Sequence, residues 1–206
     1  STYEGLPVWY STSPKSGRFK RAIERNTLPS WDPCLFLDDD GKLYLYYGSS
    51  NEYPLKGVQV SRDDFRPVSK IYDIMMLRPE EHGWERFGMN NDDEVTLRPF
   101  TEGAYMTKHN GKYYLSYSDN HDDGEKHNRM CYAISDSPLG PWEYKGIYME
   151  PTDSYTNHGS IVEFKGQWYF FYHNSALSGQ DWLRSICVDK LYYNPDGTIK
   201  MVKQTK

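Results

Sequence analysis

The sequence predicts an all-β protein made of repeated antiparallel sheets, arranged as the blades of a β-propeller. Three observations lead to this prediction. First, the pattern Gly-[Lys/Gln]-x-Tyr-[Leu/Phe]-x-Tyr occurs three times, starting at Gly41, Gly111 and Gly166. Second, each copy follows a short apolar segment and a few turn-forming residues, as in a β-hairpin. Third, further apolar segments follow each hairpin, and four strands per repeat are typical of a propeller blade.

The repeats define three predicted blades, at 30–72, 100–146 and 157–203. Their strands are predicted, in order, at 34–37, 41–47, 57–61 and 67–71 in the first blade, 104–108, 111–117, 129–135 and 142–146 in the second, and 160–164, 166–172, 183–193 and 198–202 in the third. Helical periodicity is weak along the whole chain, which also favours an all-β fold.

Residues 1–29 resemble the outer half of a further blade. The segment 8–14 is similar to 131–138, which begins within the third strand of the second predicted blade. The inner strands of this incomplete blade would then precede Ser1, so we expect one partial (incomplete) propeller domain with three complete blades. Natural propellers close with about four to eight blades. Exposed blade edges would therefore favour an assembled partner or an oligomer.

Composition narrows the class of ligand. Aromatic residues make up 16% of the chain, with 19 Tyr and 6 Trp, a content that excludes intrinsic disorder. The formal net charge is -5 and basic residues are scattered, which argues against nucleic acid or an anionic membrane as the partner. No apolar run approaches the roughly 18 residues of a membrane span. Neutral ligands fit this composition best.

Polar residues stand directly before the first strand of each predicted blade. They are Asp32, Glu102 and His158. Because the ends of alternate antiparallel strands lie on one face, these side chains are expected to converge beside the central channel. The opposite face receives short turns such as 38–41, whose composition suits turn geometry and nothing more.

Three ordered motifs surround these positions: Asp-Pro at 32–33, Glu-Gly-Ala at 102–104 and His-Gly-Ser at 158–160. Together with the repeats, they resemble glycoside hydrolase family 43, a five-bladed propeller family of β-xylosidases, α-L-arabinofuranosidases and arabinanases. The resemblance implies a glycosidase that acts on plant cell-wall polysaccharides or oligosaccharides containing xylose or arabinose. Hydrolysis would invert the configuration at the anomeric carbon. It also implies a secreted or periplasmic location, no required cofactor, and a structural calcium ion in the central channel.

The same resemblance assigns roles to the two carboxylates. Glu102 would be the general acid, and Asp32 would orient it and raise its pKa, since a nearby ionised carboxylate disfavours a second negative charge. The alternative interpretations are a turn-forming Asp-Pro at 32–33 and a solvated loop glutamate at 102.

Further residues are predicted to bind substrate. His158 matches the family's central-channel histidine, which would contact substrate or a metal ion; a buried histidine satisfied by backbone groups is the alternative. Arg184 matches a sugar-contacting arginine, with a surface ion pair as the alternative. Trp31, Trp84 and Trp182 offer flat surfaces on which sugar rings can stack.

The general base is the missing part of the expected machinery. An inverting hydrolase needs a second carboxylate on the far side of the sugar, and the resemblance places it in the first blade, which this sequence lacks. We therefore expect the 206-residue chain to be inactive by itself. A non-catalytic carbohydrate-binding propeller is the alternative function, and a protein-binding scaffold is a third, for which carboxylates at the channel have no use.

Overall fold

The computed structural model describes residues 7–23, 31–48, 55–75, 101–120 and 128–205. Within these ranges the chain consists of β-strands, connecting turns and one short 3₁₀ helix, Pro14–Ser16. No helix in the described ranges is long and apolar enough to span a membrane. The predicted all-β class is thus confirmed.

The strands form one hairpin and three larger antiparallel sheets. The hairpin pairs β1 (Trp9–Tyr10) with β2 (Lys20–Arg21). In order of pairing, the first sheet is β3 (Cys34–Leu37), β4 (Leu43–Tyr47), β5 (Leu55–Val60) and β6 (Tyr72–Met75). The second is β7 (Thr101–His109), β8 (Lys112–Asn120), β9 (Asn128–Ser135) and β10 (Glu143–Met149). The third is β11 (Ser160–Phe164), β12 (Gln167–Asn174) and β13 (Ser185–Leu191).

The last strand of the first sheet begins later than predicted. In the predicted segment 67–71, Pro67 forms only an isolated bridge with Val60. The Ser69 hydroxyl then accepts the Gln59 N–H at 3.0 Å, a donor that a paired strand would otherwise engage. Regular pairing starts at Tyr72, so the predicted strand at 67–71 is wrong.

The fourth strand predicted in the third sheet, 198–202, is also wrong. Ile199 forms an isolated bridge with Tyr193, and the Val202 N–H donates to the carbonyl of Tyr148 in the second sheet at 2.7 Å. Ile199 and Val202 are buried in the core between these two sheets. Their apolar pattern therefore reflects packing between sheets. The described part of the chain has three strands in this sheet, and the sheets do not close into a ring.

Within the described residues, two apolar layers between neighbouring sheets form most of the core, and a smaller third cluster, Leu45, Tyr47, Val58 and Val60, lies within the first sheet. The layer between the first and second sheets contains the buried rings of Tyr46 and Tyr117. The layer between the second and third sheets contains Tyr148 and Phe170. The inner strand β7 contacts β3 on one side and β11 on the other. Consequently, the starts of three inner strands lie next to one another.

Asp38 joins the first two sheets at the end opposite to those strand starts. Its side chain is buried, and it accepts hydrogen bonds from Lys108 Nζ at 2.6 Å and the Tyr113 hydroxyl at 2.6 Å. Burial opposes the charge on Asp38, but these hydrogen bonds outweigh it and hold the pKa below its ordinary value. The expectation that 38–41 serves turn geometry alone is therefore wrong.

Candidate functional site

Three polar side chains meet where the inner strands begin. Asp32 precedes β3, Glu102 is the second residue of β7, and His158 precedes β11. One carboxylate oxygen of each acid and a ring nitrogen of His158 all lie within 4.8 Å of one another. His158 Nε2 is 3.1 Å from Glu102 Oε1 and 4.0 Å from Asp32 Oδ2. The predicted convergence of these residues is thus seen in the structure, while their catalytic roles remain predictions.

A β-bulge places Glu102 at this junction. Glu102 pairs with Ser118 and Tyr105 pairs with Ser116, so that two residues of β7 lie opposite one residue of β8. Gly103, the first of the two, has a φ of 67°, which is typical of a bulge with a left-handed glycine. Asp32 also lies in the left-handed region, with a φ of 48°, a conformation that Asp tolerates better than most residues.

A cavity of about 410 Å³ opens at the cluster. It is lined by Asp32 and His158 and by residues at the starts of all three inner strands, including Cys34, Tyr105 and Gly159. Asp32 and His158 therefore face one concave space to which all three sheets contribute lining residues, and a cavity with a few polar groups is the arrangement expected of a small-ligand site.

Burial and charge act in opposite directions on the cluster. Burial raises the pKa of Asp32, and the Glu102 charge adds to this, while His158 and the Gly103 N–H oppose it. Asp32 Oδ2 is buried without a hydrogen-bond partner among the described residues. For His158, burial disfavours the charged ring, but the hydrogen bond and charge of Glu102, with the charge of Asp32, raise its pKa above the ordinary value.

Arg184 lies directly before β13 and makes an ion pair. Its Nη2 is 3.1 Å from Asp181 Oδ2, and its Nε donates to the Asp181 carbonyl at 2.7 Å. Asp181 Oδ1 in turn accepts the backbone N–H of Tyr155 at 2.6 Å. Asp181 therefore ties Arg184 to the segment that leads into His158. The contact agrees with the alternative interpretation of Arg184 as a member of a surface ion pair. Sugar binding by Arg184 remains a prediction.

The three tryptophans differ in their positions. Trp31 is partly buried beside Asp32, and its carbonyl accepts the Gly48 N–H at 2.8 Å. Trp182 is 77% exposed in the turn before Arg184. Trp84 lies outside the described residues. Stacking of sugars on these rings stays a prediction.

Sequence reasoning missed two residues at the site, Gly103 and Asp181. The Glu-Gly motif at 102–103 could have pointed to Gly103. Asp181 stands three positions before Arg184, a spacing that suits a local ion pair and could have pointed to it.

The predicted calcium ion does not fit the cluster of Asp32, Glu102 and His158. Calcium prefers six to eight oxygen ligands at about 2.3–2.6 Å. The cluster offers two carboxylates and one imidazole nitrogen, and that nitrogen already lies 3.1 Å from Glu102 Oε1. A calcium ion elsewhere in the channel remains a prediction of the resemblance.

Comparison with known proteins agrees with the motifs. The sequence profile of glycosyl hydrolases family 43 matches residues 4–199. A β-xylosidase of Xylanibacter ruminicola is 36% identical over 192 residues, which cover 84% of this chain and 58% of that protein. Xylosidase/arabinosidase 43A of Humicola insolens is 36% identical over 82% of this chain and 58% of its own length. The chain thus spans a little over half the length of these curated relatives.

Solved structures show the same similarity. The xylotriose complex of CoXyl43, a β-xylosidase/α-arabinofuranosidase from a compost metagenome, is 32% identical with a TM-score of 0.73. The match covers 96% of this chain and 65% of CoXyl43, and that CoXyl43 structure is a calcium-free form. The xylose complex of a Xanthomonas citri enzyme is 35% identical with a TM-score of 0.63, over 84% of this chain and 56% of that enzyme.

Proposed function

Because the chain belongs to family 43 of the glycosyl hydrolases, we propose that its protein hydrolyses O-glycosyl bonds in oligosaccharides that contain xylose or arabinose. The observation that carries the proposal is the cluster of Asp32, Glu102 and His158, of which Asp32 and His158 line a cavity. The relatives named as xylosidases and arabinosidases, and the neighbours solved with xylotriose and xylose, support this substrate class. The same membership favours a secreted or periplasmic enzyme.

Glu102 is the proposed general acid. Its side chain is only 14% exposed, and Oε1 is held by His158. We therefore expect Oε2 to carry the proton that passes to the departing glycosidic oxygen as the bond to the anomeric carbon breaks. His158 would keep the carboxyl group oriented during this transfer.

Asp32 is the proposed orienting carboxylate. In an inverting pair, the acid and base are roughly 6.5–9.5 Å apart, which leaves room for the attacking water. Asp32 and Glu102 approach within 4.8 Å, and one oxygen of Asp32 is buried. This spacing disfavours Asp32 as the base that activates water. We propose that the base comes from outside this cluster.

The short spacing also raises a mechanistic alternative, in which Asp32 attacks the sugar and the configuration is retained, since retaining carboxylates are about 5–5.5 Å apart. Burial of Asp32 and its raised pKa disfavour this role. Proton NMR of the first product distinguishes the two. Inversion is expected, and a product of retained configuration would contradict the inverting mechanism and make Asp32 a candidate nucleophile.

A second candidate function is carbohydrate binding without hydrolysis. It is favoured by the fact that the cluster contains only two carboxylates within the described part of the chain. A form of the protein longer than these 206 residues that binds xylotriose but hydrolyses neither aryl xylosides nor aryl arabinofuranosides would support this candidate over the enzyme.

Replacing Glu102 by Gln tests the acid role. The amide keeps the shape but has no proton to transfer, so the variant should hydrolyse natural oligosaccharides about 10²–10⁴-fold more slowly. Aryl glycosides with activated leaving groups need less protonation and should be affected less. Glu143→Gln is a matched control, because Glu143 pairs with Lys145 on β10 and its side chain is 74% exposed. An equal loss on both substrate classes would contradict the assignment.

A further inference from the structure

Gly103 lies beside each of the three polar residues. It is bonded to Glu102, its backbone N–H lowers the pKa of the Asp32 carboxylate, and it packs against the ring of His158. It is also buried, at the bulge of β7. No other residue type reproduces this combination, because the left-handed φ and the close packing both disfavour a side chain.

The space beside Gly103 is filled by the imidazole of His158. A Cβ at position 103 would lie 2.9 Å from Cδ2 and 3.0 Å from Nε2 of His158. These atoms belong to a rigid ring, and Nε2 is the atom that lies 3.1 Å from Glu102 Oε1. A methyl group at position 103 would therefore displace the ring from the acid.

His158 has little room to withdraw. The next residue, Gly159, is pressed against Phe170, since a Cβ there would lie 2.2 Å from the ring. Phe170 itself is fully buried in the core between the second and third sheets. The backbone behind His158 is thus fixed, and a clash at Gly103 would be relieved by moving the imidazole.

We propose that Gly103 is a positioning residue: its missing Cβ leaves the space in which the His158 ring lies against Glu102. Its catalytic meaning rests on the proposed function. The contact between Gly103 and the His158 ring can be tested by a measurement on His158 that needs no enzymatic turnover.

Gly103→Ala compared with Gly111→Ala tests this proposal. Gly111 has a similar left-handed φ of 76°, and a Cβ there would meet nothing within 4 Å. Both variants carry the backbone strain of a left-handed alanine, but only the first meets His158. In an active form of the protein, we expect Gly103→Ala to lower kcat/KM at least tenfold more than Gly111→Ala, since a displacement of about 1 Å can cost about 10²-fold.

Histidine NMR gives a readout that does not depend on activity. The groups that act on His158 are Glu102, Asp32 and Arg184. Gly103→Ala should lower the pKa of His158, because the ring leaves Glu102, whereas Gly111→Ala should leave it unchanged. If a wild-type form of the protein that contains the proposed general base hydrolyses no glycoside, the proposed function fails, and the His158 titration still decides the role of Gly103.

The double variant Gly103→Ala/His158→Ala covers the case in which Gly103→Ala does not fold. Removal of the His158 ring removes the clash, so the double variant should fold. Gly103→Ala should therefore lower the free energy of unfolding less in the His158→Ala background than in the wild type. Equal effects of Gly103→Ala and Gly111→Ala on kcat/KM and on the His158 titration would overturn the proposal. The proposal would also be overturned if the loss in free energy of unfolding of the double variant equalled the sum of the losses of the two single variants.

Discussion

Replacing Asp38 by Asn is expected to destabilise the protein by about 2 kcal/mol. Asp38 is only 6% exposed and accepts hydrogen bonds from Lys108 and Tyr113 across the interface between the first two sheets. A hydrogen bond to a charged group contributes about 1.5–3 kcal/mol, and a neutral one about 0.5–1.5 kcal/mol. Asn keeps the shape but not the charge, so each of the two bonds loses about 1 kcal/mol. For a chain of this size the melting temperature should fall by about 4–8 °C.

The effect should depend on pH in a defined direction. The pKa of Asp38 is lowered in the folded state, so its stabilisation is present above the unfolded value of about 3.9 and is lost as the pH falls through the folded value. Urea unfolding at pH 7 should separate the wild type from Asp38→Asn, and the difference in free energy of unfolding should begin to shrink below about pH 4 and vanish only below the folded pKa of Asp38. Asp73→Asn is the matched control, because Asp73 pairs with Lys56 but is 56% exposed, and such pairs contribute about 0.2–1 kcal/mol. Equal losses for the two variants at pH 7, or a difference that persists unchanged at pH 3, would refute the reasoning.

Two further predictions concern the site and the chain as given. Asp181→Asn should raise KM for xylose-containing oligosaccharides about tenfold, equivalent to about 1.4 kcal/mol, with a smaller change in kcat, because Arg184 and Tyr155 use different oxygens of Asp181 and Asn has only one acceptor oxygen and no charge. Asp196→Asn, which changes a turn carboxylate that accepts hydrogen bonds from Thr198, should leave KM unchanged, and equal KM values for both variants would count against the prediction. The purified 206-residue polypeptide should hydrolyse aryl glycosides far below the roughly 1–10³ per second of typical enzymes, since within the described residues no third carboxylate joins Asp32 and Glu102 in the cluster; turnover in that range would show that another carboxylate acts as the base.

Local patterns in the sequence predicted the hairpins well. The predicted strands 34–37 and 160–164 coincide with β3 and β11, because alternating apolar residues and turn-forming residues act over a few positions. The site residues were found for a related reason. Asp32, Glu102 and His158 occupy equivalent positions before repeated strands, so that the repeat itself placed them on one face.

Contacts between distant segments were beyond local patterns. The role of Asp38 depends on Lys108 and Tyr113, which lie about 70 residues away in the chain. The segment 198–202 has a strand-like pattern, yet its burial is set by the second sheet. A sequence pattern reports that a residue is apolar and buried, whereas pairing depends on which backbone donors and acceptors remain available after the sheets pack.

The geometry of the site is consequently a property of how the sheets pack. Glu102 belongs to the second sheet and His158 lies two residues before the first strand of the third, so their 3.1 Å contact depends on the relative placement of those sheets. That placement is set by core contacts such as the hydrogen bond of 2.9 Å from the Ile199 N–H to the Tyr132 hydroxyl, at a buried position away from the cluster. In a close-packed interior a shift of one sheet is transmitted to its ends. Residues that hold the sheets together therefore contribute to the proton-transfer geometry without touching a substrate.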